Sequence, residues 1–273
     1  MNKLLLPIRG LSVHVEIKGE PHLPTIVFLH GFTGSTKTWD EVRNEFNGYR
    51  TIAVDLTGHG ETSVPDKLER YSMEEQIEDL EALFEHLELN SFLLVGYSMG
   101  GRIALAYTIH YPKRVKALVL ESSSPGLLDE QDRLERELAD KLLAKSIIED
   151  GIYSFVEKWE NIPLFASQRS LPVEKRRAIR NERLKQSEIG LANSLLGIGT
   201  GSQKSYWEQL HSMPNPVFLI TGELDAKFVE ISREMTALAP TWRHIVVSGV
   251  GHAIHVEKPQ LFATMIMEYL QGL

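Results

Sequence analysis

The sequence predicts a doubly wound α/β fold, in which a mostly parallel β-sheet carries helices on both faces. Two observations support this fold class: the strand-like runs are apolar throughout, and longer amphipathic stretches separate most of them. Strands that are apolar on both faces are typical of a parallel sheet buried between two helical layers. The chain has 273 residues, a length that suits one large domain or two small ones.

Seven segments rich in β-branched and other apolar residues are predicted as strands. Each is short and bounded by residues that favour turns, as expected of buried strands. They are residues 12–17, 25–29, 51–54, 92–95, 117–120, 217–220 and 244–247.

The clearest predicted helix spans residues 72–87. Ser72 is a candidate N-cap, and Glu75 follows three residues later, as in a capping box. Apolar residues then recur at spacings of three and four, which is the helical period: Ile77, Leu80, Leu83, Phe84 and Leu87. Residues 101–110 and 259–270 are predicted as further helices.

The segment from about 127 to 209 breaks the alternation of strands and helices. It is densely charged with helical spacing and contains no clear strand-like run. Long insertions that hold their own structure are usually functional. We therefore predict one domain over residues 1–273, with a core of 1–126 and 210–273 and an inserted helical cap of about 127–209.

The composition excludes several classes of protein. With 42% apolar and 24% charged residues, the chain lies outside the range of disordered proteins. Its 29 basic and 37 acidic residues give a net charge of −8, which argues against nucleic acid or an anionic membrane as the main partner. The absence of cysteine excludes disulfides, thiolate metal sites and a cysteine nucleophile. The lack of cysteine also suits the cytoplasm, where we expect the protein to be. No run of about 18 apolar residues occurs, so we expect no membrane insertion.

The strongest chemical signal is the run Gly96-Tyr97-Ser98-Met99-Gly100, which joins a predicted strand to a predicted helix. This is the G-x-S-x-G pattern of a nucleophile elbow, in its strand–turn–helix context. The strained turn lifts Ser98 above the sheet edge and needs glycine on both sides. An ordinary glycine-rich turn is the alternative, and the context favours the elbow.

A serine hydroxyl needs a base, and the base needs an orienting acid. His252 follows the last predicted strand in a loop, and Asp225 follows the strand at 217–220. The order Ser98, Asp225, His252 matches one known chain order of a catalytic triad. We assign Asp225 over Glu223, because the acid normally lies a few residues beyond the strand, and Glu121 is a weaker substitute.

The turn at residues 30–32 follows the strand at 25–29 and suggests an oxyanion hole. The backbone N–H groups of Phe32 and Met99 would then donate to one oxygen, and each such donor stabilises a transition state by roughly 3 kcal/mol. We predict that His30 braces this turn and that residues 58–60 form a structural loop.

Together, the motifs at residues 29–32, 55–60 and 96–101 resemble the α/β-hydrolase superfamily, and they imply the α/β-hydrolase fold across nearly the whole chain. More specific matches resemble one family, the 2-succinyl-6-hydroxy-2,4-cyclohexadiene-1-carboxylate (SHCHC) synthases of menaquinone biosynthesis. Those matches are Tyr97, Gly101-Arg102, Ser124-Pro125-Gly126-Leu127, Arg136 with Asp140, Trp159, Pro163-Leu164-Phe165, Arg183 before Gly190-Leu191-Ala192, and Asp225-Ala226-Lys227-Phe228.

The resemblance implies a lyase that needs no metal and no organic cofactor. A proton would leave the carbon next to the succinyl ketone of 2-succinyl-5-enolpyruvyl-6-hydroxy-3-cyclohexene-1-carboxylate, and pyruvate would be eliminated from the ring. Ser98, activated by His252 and Asp225, would act as the base. Phe32 and Met99 would stabilise the enolate, and Tyr97 would donate another hydrogen bond.

The substrate implied by the resemblance is a small anionic polycarboxylate, so arginines are expected around it. Arg102 lies one helical turn after Ser98 and can project into the same cavity. Arg136 and Arg183 in the cap would clamp carboxylates, although Arg133 competes with Arg136 and a charged cap helix is often only a solvated face. Trp159 and Phe165 would form a wall for the ring or, alternatively, pack within the cap. Residues 186–189 lack the asparagine-rich run of some members.

Two other functions remain open. The same triad would serve a serine hydrolase that cleaves an ester or carbon–carbon bond of an acidic substrate. A binding module could retain the fold without the chemistry. The oligomeric state is not indicated by the sequence.

Overall fold

The computed structural model describes residues 2–272 and contains an eight-stranded sheet. The strand order is β1-β2-β4-β3-β5-β6-β7-β8. The strands are β1 (Asn2–Ile8), β2 (Leu11–Lys18), β3 (Thr25–Leu29), β4 (Arg50–Val54), β5 (Phe92–Tyr97), β6 (Val115–Glu121), β7 (Val217–Gly222) and β8 (Arg243–Val247). Only β1–β2 and β2–β4 pair antiparallel, and the other pairs are parallel. The predicted mostly parallel α/β fold is confirmed.

The seven predicted strands are all present, but β1 was not predicted. This strand pairs with β2 over its whole length, from Asn2 opposite Ile17 to Ile8 opposite Leu11. It lies at the sheet edge and most of its residues are exposed. An edge strand tolerates Pro7, which interrupts the apolar run and hides the strand pattern.

Helices cover both faces of the sheet. Alternate residues of β3 enter opposite cores: Val27 and Leu29 join the cluster under one helical layer, and Ile26 and Phe28 join the other. The first cluster includes residues of α2 (Met73–His86), α3 (Met99–His110) and α7 (Ala226–Leu238), and the second includes residues of α1 (Asp40–Arg43), α8 (Ile254–Glu257) and α9 (Pro259–Gln271). Burial on both faces explains why the strands are apolar throughout.

The sequence signals for the helices match their observed ends closely. Ser72 caps α2, and its hydroxyl accepts a hydrogen bond from the Glu75 N–H at 3.3 Å. Helix α3 begins at Met99, two residues before the predicted start. The early start places the first helical N–H groups directly after Ser98.

Between β6 and β7 the chain forms helices and no strand. These are α4 (Glu130–Trp159), α5 (Val173–Arg183) and α6 (Glu188–Ile198), with short 3₁₀ segments at Pro163–Ser170 and Trp207–Ser212. Helix α4 is kinked at Gly151, where φ is 81°. The segment has its own apolar cluster, built from α4 and α6 around Ile147, Phe155 and Leu191. In the described part of the chain, no helix is both long enough and apolar enough to span a membrane.

Candidate active site

The turn between β5 and α3 presents Ser98 in a strained conformation. Ser98 has φ 50° and ψ −108° and is partly exposed, whereas both neighbours in the chain are buried. A Cβ at Gly96 would lie 2.5 Å from the Gly100 carbonyl oxygen, and a Cβ at Gly100 would lie 2.3 Å from the Leu29 carbonyl oxygen. Only glycine fits at these two positions, so the G-x-S-x-G pattern forms the turn that the sequence predicts.

The structure brings Ser98, His252 and Asp225 together, although 154 residues separate the first two in the chain. His252 Nε2 lies 3.1 Å from Ser98 Oγ, and His252 Nδ1 lies 2.6 Å from Asp225 Oδ2. Asp225 follows β7 and His252 follows β8, and β5, β6, β7 and β8 are neighbours in the sheet. The carboxyl ends of these parallel strands therefore carry a hydroxyl, an imidazole and a carboxylate in hydrogen-bonding order.

The two alternative acids have other partners. Glu121 is fully buried, and its carboxylate accepts hydrogen bonds from the His255 N–H at 3.0 Å and from His255 Nδ1 at 2.7 Å. Glu223 accepts hydrogen bonds from the Ser248 hydroxyl at 2.7 Å and the Gly249 N–H at 2.8 Å. These contacts leave Asp225 as the acid beside His252.

The turn after β3 lies directly against the nucleophile elbow. A Cβ at Gly31 would lie 2.6 Å from Tyr97 Cε1 and 3.5 Å from Ser98 Cβ. Within residues 2–272, neither the Phe32 N–H nor the Met99 N–H donates a hydrogen bond to another residue. Two free donors next to Ser98 are the requirement for an oxyanion hole.

His30 fixes the shape of this turn. Its Nε2 accepts a hydrogen bond from the Leu56 N–H at 3.0 Å, and its Nδ1 lies 2.8 Å from the Gly31 carbonyl oxygen. Burial lowers the pKa of His30, so the imidazole remains neutral and can accept and donate at the same time. His59 is also buried, with its pKa lowered by desolvation to about 3.

A cavity of about 530 Å³ opens beside the triad; we refer to it as the reaction cavity. Its wall includes Phe32, Tyr97, Phe165 and Arg183, but neither Ser98 nor His252 is among its lining residues. The cavity therefore approaches the triad from the side of Phe32 and Tyr97. Burial raises the pKa of Tyr97 well above its ordinary value, so its hydroxyl remains protonated and can donate a hydrogen bond.

Aromatic side chains from the helical segment pack against the core at this point. The Trp159 ring lies 5.5 Å from the Phe32 ring and 5.8 Å from the Phe165 ring, measured between centroids. Phe165 lies 6.3 Å from the His252 ring, and Phe228 lies 4.8 Å from it on the core side. Trp159 and Phe165 are thus near the triad, as expected of residues that wall a substrate ring.

Arg183 carries a buried charge with no acidic partner. Only 7% of the residue is exposed, and its guanidinium carbon lies 4.7 Å from the centroid of the Phe165 ring. It makes no salt bridge within residues 2–272. Burial lowers the pKa of Arg183, because the charged form loses its hydration. A buried cation of this kind favours an anionic ligand.

Arg102 and Arg136 belong to a separate cluster, and neither lines the reaction cavity. Arg102 is buried and donates to Gln203 Oε1 at 2.5 Å, and Arg136 donates to Asp140 Oδ1 at 2.8 Å. The pKa of Arg102 is lowered to about 10 by burial and by the nearby Arg136, against the opposing effect of Asp140. Two cations share one carboxylate, so the cluster is short of negative charge.

Arg133, the competing candidate, is partly buried, and its Nε has no hydrogen-bond partner among the described residues. Its carbonyl oxygen would lie 2.7 Å from a Cβ at Gly201. Arg133 therefore sits next to the same cluster, but Arg136 is the residue paired with Asp140.

Three residues that the sequence analysis did not single out tie the helical segment to the active-site loops. Glu182 accepts hydrogen bonds from the hydroxyls of Ser35 and Thr38 at 2.7 and 2.9 Å. Gln186 bonds the Gly60 N–H and the Gly34 carbonyl oxygen, at 3.0 and 3.1 Å. Glu257 accepts from the Gly251 N–H at 3.2 Å and from the Ser167 hydroxyl at 2.8 Å. Their contacts span up to 152 residues, and no local motif indicates them.

The described residues contain no group of three or more His, Asp or Glu side chains arranged to hold a metal ion. The polar groups around Ser98 are instead arranged as donors, acceptors and cations.

Comparisons with known proteins agree with this geometry. The α/β-hydrolase fold family matches residues 24–259. A Bacillus subtilis protein provisionally named an SHCHC synthase is 44% identical over 264 residues, which cover 97% of this chain and 96% of the relative. The SHCHC synthase of Salmonella agona is 32% identical over 251 residues, which cover 91% of this chain and 95% of that enzyme.

Among solved structures, MenH from S. aureus superposes with a TM-score of 0.89 and 37% identity. The match covers 94% of this chain and 98% of that structure. Fold, full-length coverage and sequence identity all lead to the same assignment. The chain belongs to the α/β-hydrolase superfamily and, within it, to the family of SHCHC synthases.

Proposed function

We propose that this protein is a lyase of menaquinone biosynthesis that forms SHCHC and releases pyruvate, using Ser98, His252 and Asp225 to move a proton. The observation that carries the proposal is the hydrogen-bonded series Ser98–His252–Asp225 close to the buried Arg183, which has no acidic partner within residues 2–272. The relatives that match nearly the whole chain are named for forming this product. We further propose that residues 127–209 act as a cap over the site.

The reaction is an elimination in which the atoms balance without water. The C–H bond at C2, next to the succinyl ketone, breaks and its proton passes to Ser98 Oγ. The electrons form the C2=C3 bond, the ring double bond moves from C3=C4 to C4=C5, and the C5–O bond breaks. The leaving group is the enolate of pyruvate, which accepts a proton on carbon to become the ketone.

Ser98 can act as a base only if its own proton leaves in the same step. His252 Nε2, at 3.1 Å from Ser98 Oγ, receives that proton. Asp225, at 2.6 Å from His252 Nδ1, holds the imidazole in the accepting tautomer and stabilises the imidazolium that forms. After C–O cleavage, the proton on His252 is transferred to the departing enolate, directly or through Ser98.

Negative charge develops on the ketone oxygen as the C2 proton leaves. We propose that the N–H groups of Phe32 and Met99, which have no partner among the described residues, stabilise this enolate. The protonated hydroxyl of Tyr97 is a third donor close to Ser98, and its raised pKa makes deprotonation of the tyrosine unfavourable.

The carboxylates of the substrate need cations, because the protein has a net charge of −8. Arg183 enters the reaction cavity without an acidic partner, and Arg102 has only a neutral amide as its hydrogen-bond acceptor. We propose that these two arginines and Arg136 bind the carboxylates, and that Trp159 and Phe165 contact the ring. At Arg102 and Arg183, which are buried, binding of a carboxylate would offset the desolvation of the guanidinium.

The experiment is pyruvate release by the purified protein, with the substrate generated in place by the preceding enzyme. A p-nitrophenyl ester is assayed in parallel. We expect pyruvate release that is lost in Ser98→Ala, together with weak ester turnover. Rapid ester hydrolysis without pyruvate would contradict the lyase assignment and indicate a serine hydrolase that uses the same triad.

A further inference from the structure

A second cavity, of about 320 Å³, lies within the helical segment between the 3₁₀ segment Pro163–Ser170 and helix α5. Five arginines and a single glutamate are among its lining residues. We refer to it as the arginine cavity. Its arginines are Arg169, Arg176, Arg177, Arg180 and Arg183.

Most of this positive charge is not neutralised within the part of the chain described here. Arg180 pairs with Glu160, the glutamate of the cavity wall. The Arg169 side chain donates only to the carbonyl oxygen of Asn161, and the side chains of Arg176 and Arg177 make no hydrogen bond or salt bridge with the described residues. A local excess of positive charge therefore stands out in a protein whose net charge is −8.

The clustering is unfavourable for the isolated helix. Arg176, Arg180 and Arg183 are spaced at four and three residues and so lie on one face of α5. Like charges at these spacings destabilise a helix. A cost of this kind is offset when an anion binds among the charges.

The arginine cavity and the reaction cavity share part of their walls. Phe165, Gln168, Ile179 and Arg183 line both cavities. The Arg183 guanidinium lies over the Phe165 ring at 4.7 Å, and the same ring is 6.3 Å from that of His252. An anion held by the outer arginines is therefore adjacent to the one buried arginine that faces the triad side.

We propose that the arginine cavity is an entry site, which captures small polycarboxylates from solution and transfers them to Arg183 in the reaction cavity. The identity of the natural ligand rests on the function proposed above. Arg176 and Arg177 at the exposed rim supply long-range attraction, and Arg183 supplies the inner contact. Focused fields of one sign raise association rates by about 10- to 1,000-fold, and this gain falls with ionic strength.

The test compares two double variants that change the net charge equally. Arg176→Gln/Arg177→Gln removes the rim charges, and Lys141→Gln/Lys145→Gln removes two exposed charges of α4 that line neither cavity. At roughly 0.01 M salt, where the screening length is about 30 Å, we expect kcat/KM for pyruvate release to fall about fivefold in the first variant, as estimated from the steering range. In roughly 1 M salt the difference should disappear. In both conditions kcat should be unchanged.

Equal kcat/KM values in the two double variants at low salt would overturn the proposal, and so would a loss that persists at high salt. Binding of citrate, measured by calorimetry on the Ser98→Ala protein, gives a readout that does not depend on turnover. We expect citrate to bind several-fold more weakly once Arg176 and Arg177 are replaced. If the Arg176/Arg177 variant bound citrate as tightly as the Lys141/Lys145 control variant, the arginine cavity would not be an anion site. Absence of pyruvate release by the wild-type protein would contradict only the proposed function.

Discussion

Replacement of Arg102 by methionine should separate the stability of the protein from its activity. Arg102 is buried, and its guanidinium donates to Gln203, a neutral side chain. The nearest carboxylate, that of Asp140, is already bonded to Arg136. In the absence of substrate, Arg102 therefore carries a buried charge that the fold does not fully compensate.

The size of this effect follows from the pKa of Arg102, which is lowered from 12.5 to about 10 by burial and by Arg136. A cation with a lowered folded-state pKa is less stable when charged in the folded protein than in the unfolded chain. Near neutral pH this corresponds to about 3 kcal/mol of unfavourable free energy. Loss of the hydrogen bond to Gln203 costs about 1 to 3 kcal/mol. We therefore expect Arg102→Met to leave the free energy of unfolding nearly unchanged or to raise it.

Activity should respond in the opposite way. Truncating one partner of a buried, hydrogen-bonded charge pair costs about 2 to 5 kcal/mol, so kcat/KM for pyruvate release should fall by about 30-fold or more. The assays are urea denaturation followed by circular dichroism, and pyruvate release over a range of substrate concentrations.

The matched control is Arg43→Met. Arg43 is also buried, but it donates to the Glu16 carboxylate at 3.3 Å and to the Glu16 carbonyl oxygen at 2.9 Å, away from the active site. This change should cost about 3 kcal/mol of stability and leave the activity of the folded protein intact. If Arg102→Met destabilised the protein as much as Arg43→Met while retaining kcat/KM, the argument for a substrate-binding charge would be refuted.

Three further predictions concern the elbow, a buried ion pair and the loop before His252. Gly100→Ala should destabilise the protein by at least about 2 kcal/mol, because the new Cβ would lie 2.3 Å from the Leu29 carbonyl oxygen and 2.4 Å from the His30 carbonyl oxygen. An unchanged midpoint of urea denaturation would contradict this prediction. The Asp55 carboxylate raises the pKa of His14 above 6.5, so this pair stabilises the fold fully below pH 6.5 and less as the pH rises through the raised pKa. His14→Gln should therefore lower the free energy of unfolding more at about pH 6 than at about pH 9. Equal losses at the two pH values would refute this linkage. Glu257→Gln should lower kcat about tenfold, because His252 would be misplaced. Stability should change little, since only one charged hydrogen bond of about 1.5 kcal/mol is weakened. A normal kcat would show that the loop holds its position without the charge of Glu257.

Much of the fold was accessible from the sequence, because its signals are local. Each buried strand is a short apolar run, and Ser72 identifies the start of α2 through the side chain of that single residue. The exception is β1, where exposure and Pro7 remove the pattern that a buried strand would show. An edge strand is specified by its partner β2 more than by its own residues.

The candidate site was predictable where one short motif fixes one side chain. Ser98 follows from the glycines beside it, and His252 and Asp225 follow from their positions just after strands. Partners that meet only through tertiary packing were not predictable. Gln203 reaches Arg102 across 101 residues, and Gln186 reaches Gly34 across 152 residues.

The positions of the arginines also required the structure. From the sequence, Arg102, Arg136 and Arg183 were expected to bind the same substrate. The structure places Arg102 and Arg136 around Asp140, and it places Arg183 against Phe165. The arginine cavity was not expected, because its residues come from two segments of the insertion that pack side by side. Helical spacing indicates which residues share a face of α5, but not which segment that face meets.

The central claim is that Ser98 removes a proton instead of attacking a carbonyl carbon. The most direct measurement is a single-turnover reaction with substrate deuterated at C2, combined with the intact mass of the protein during turnover. If Ser98 removes the C2 proton, pyruvate should form more slowly from the deuterated substrate than from the protiated one, and the protein mass should stay unmodified throughout. Equal rates, accompanied by a substrate-derived adduct on Ser98, would contradict it.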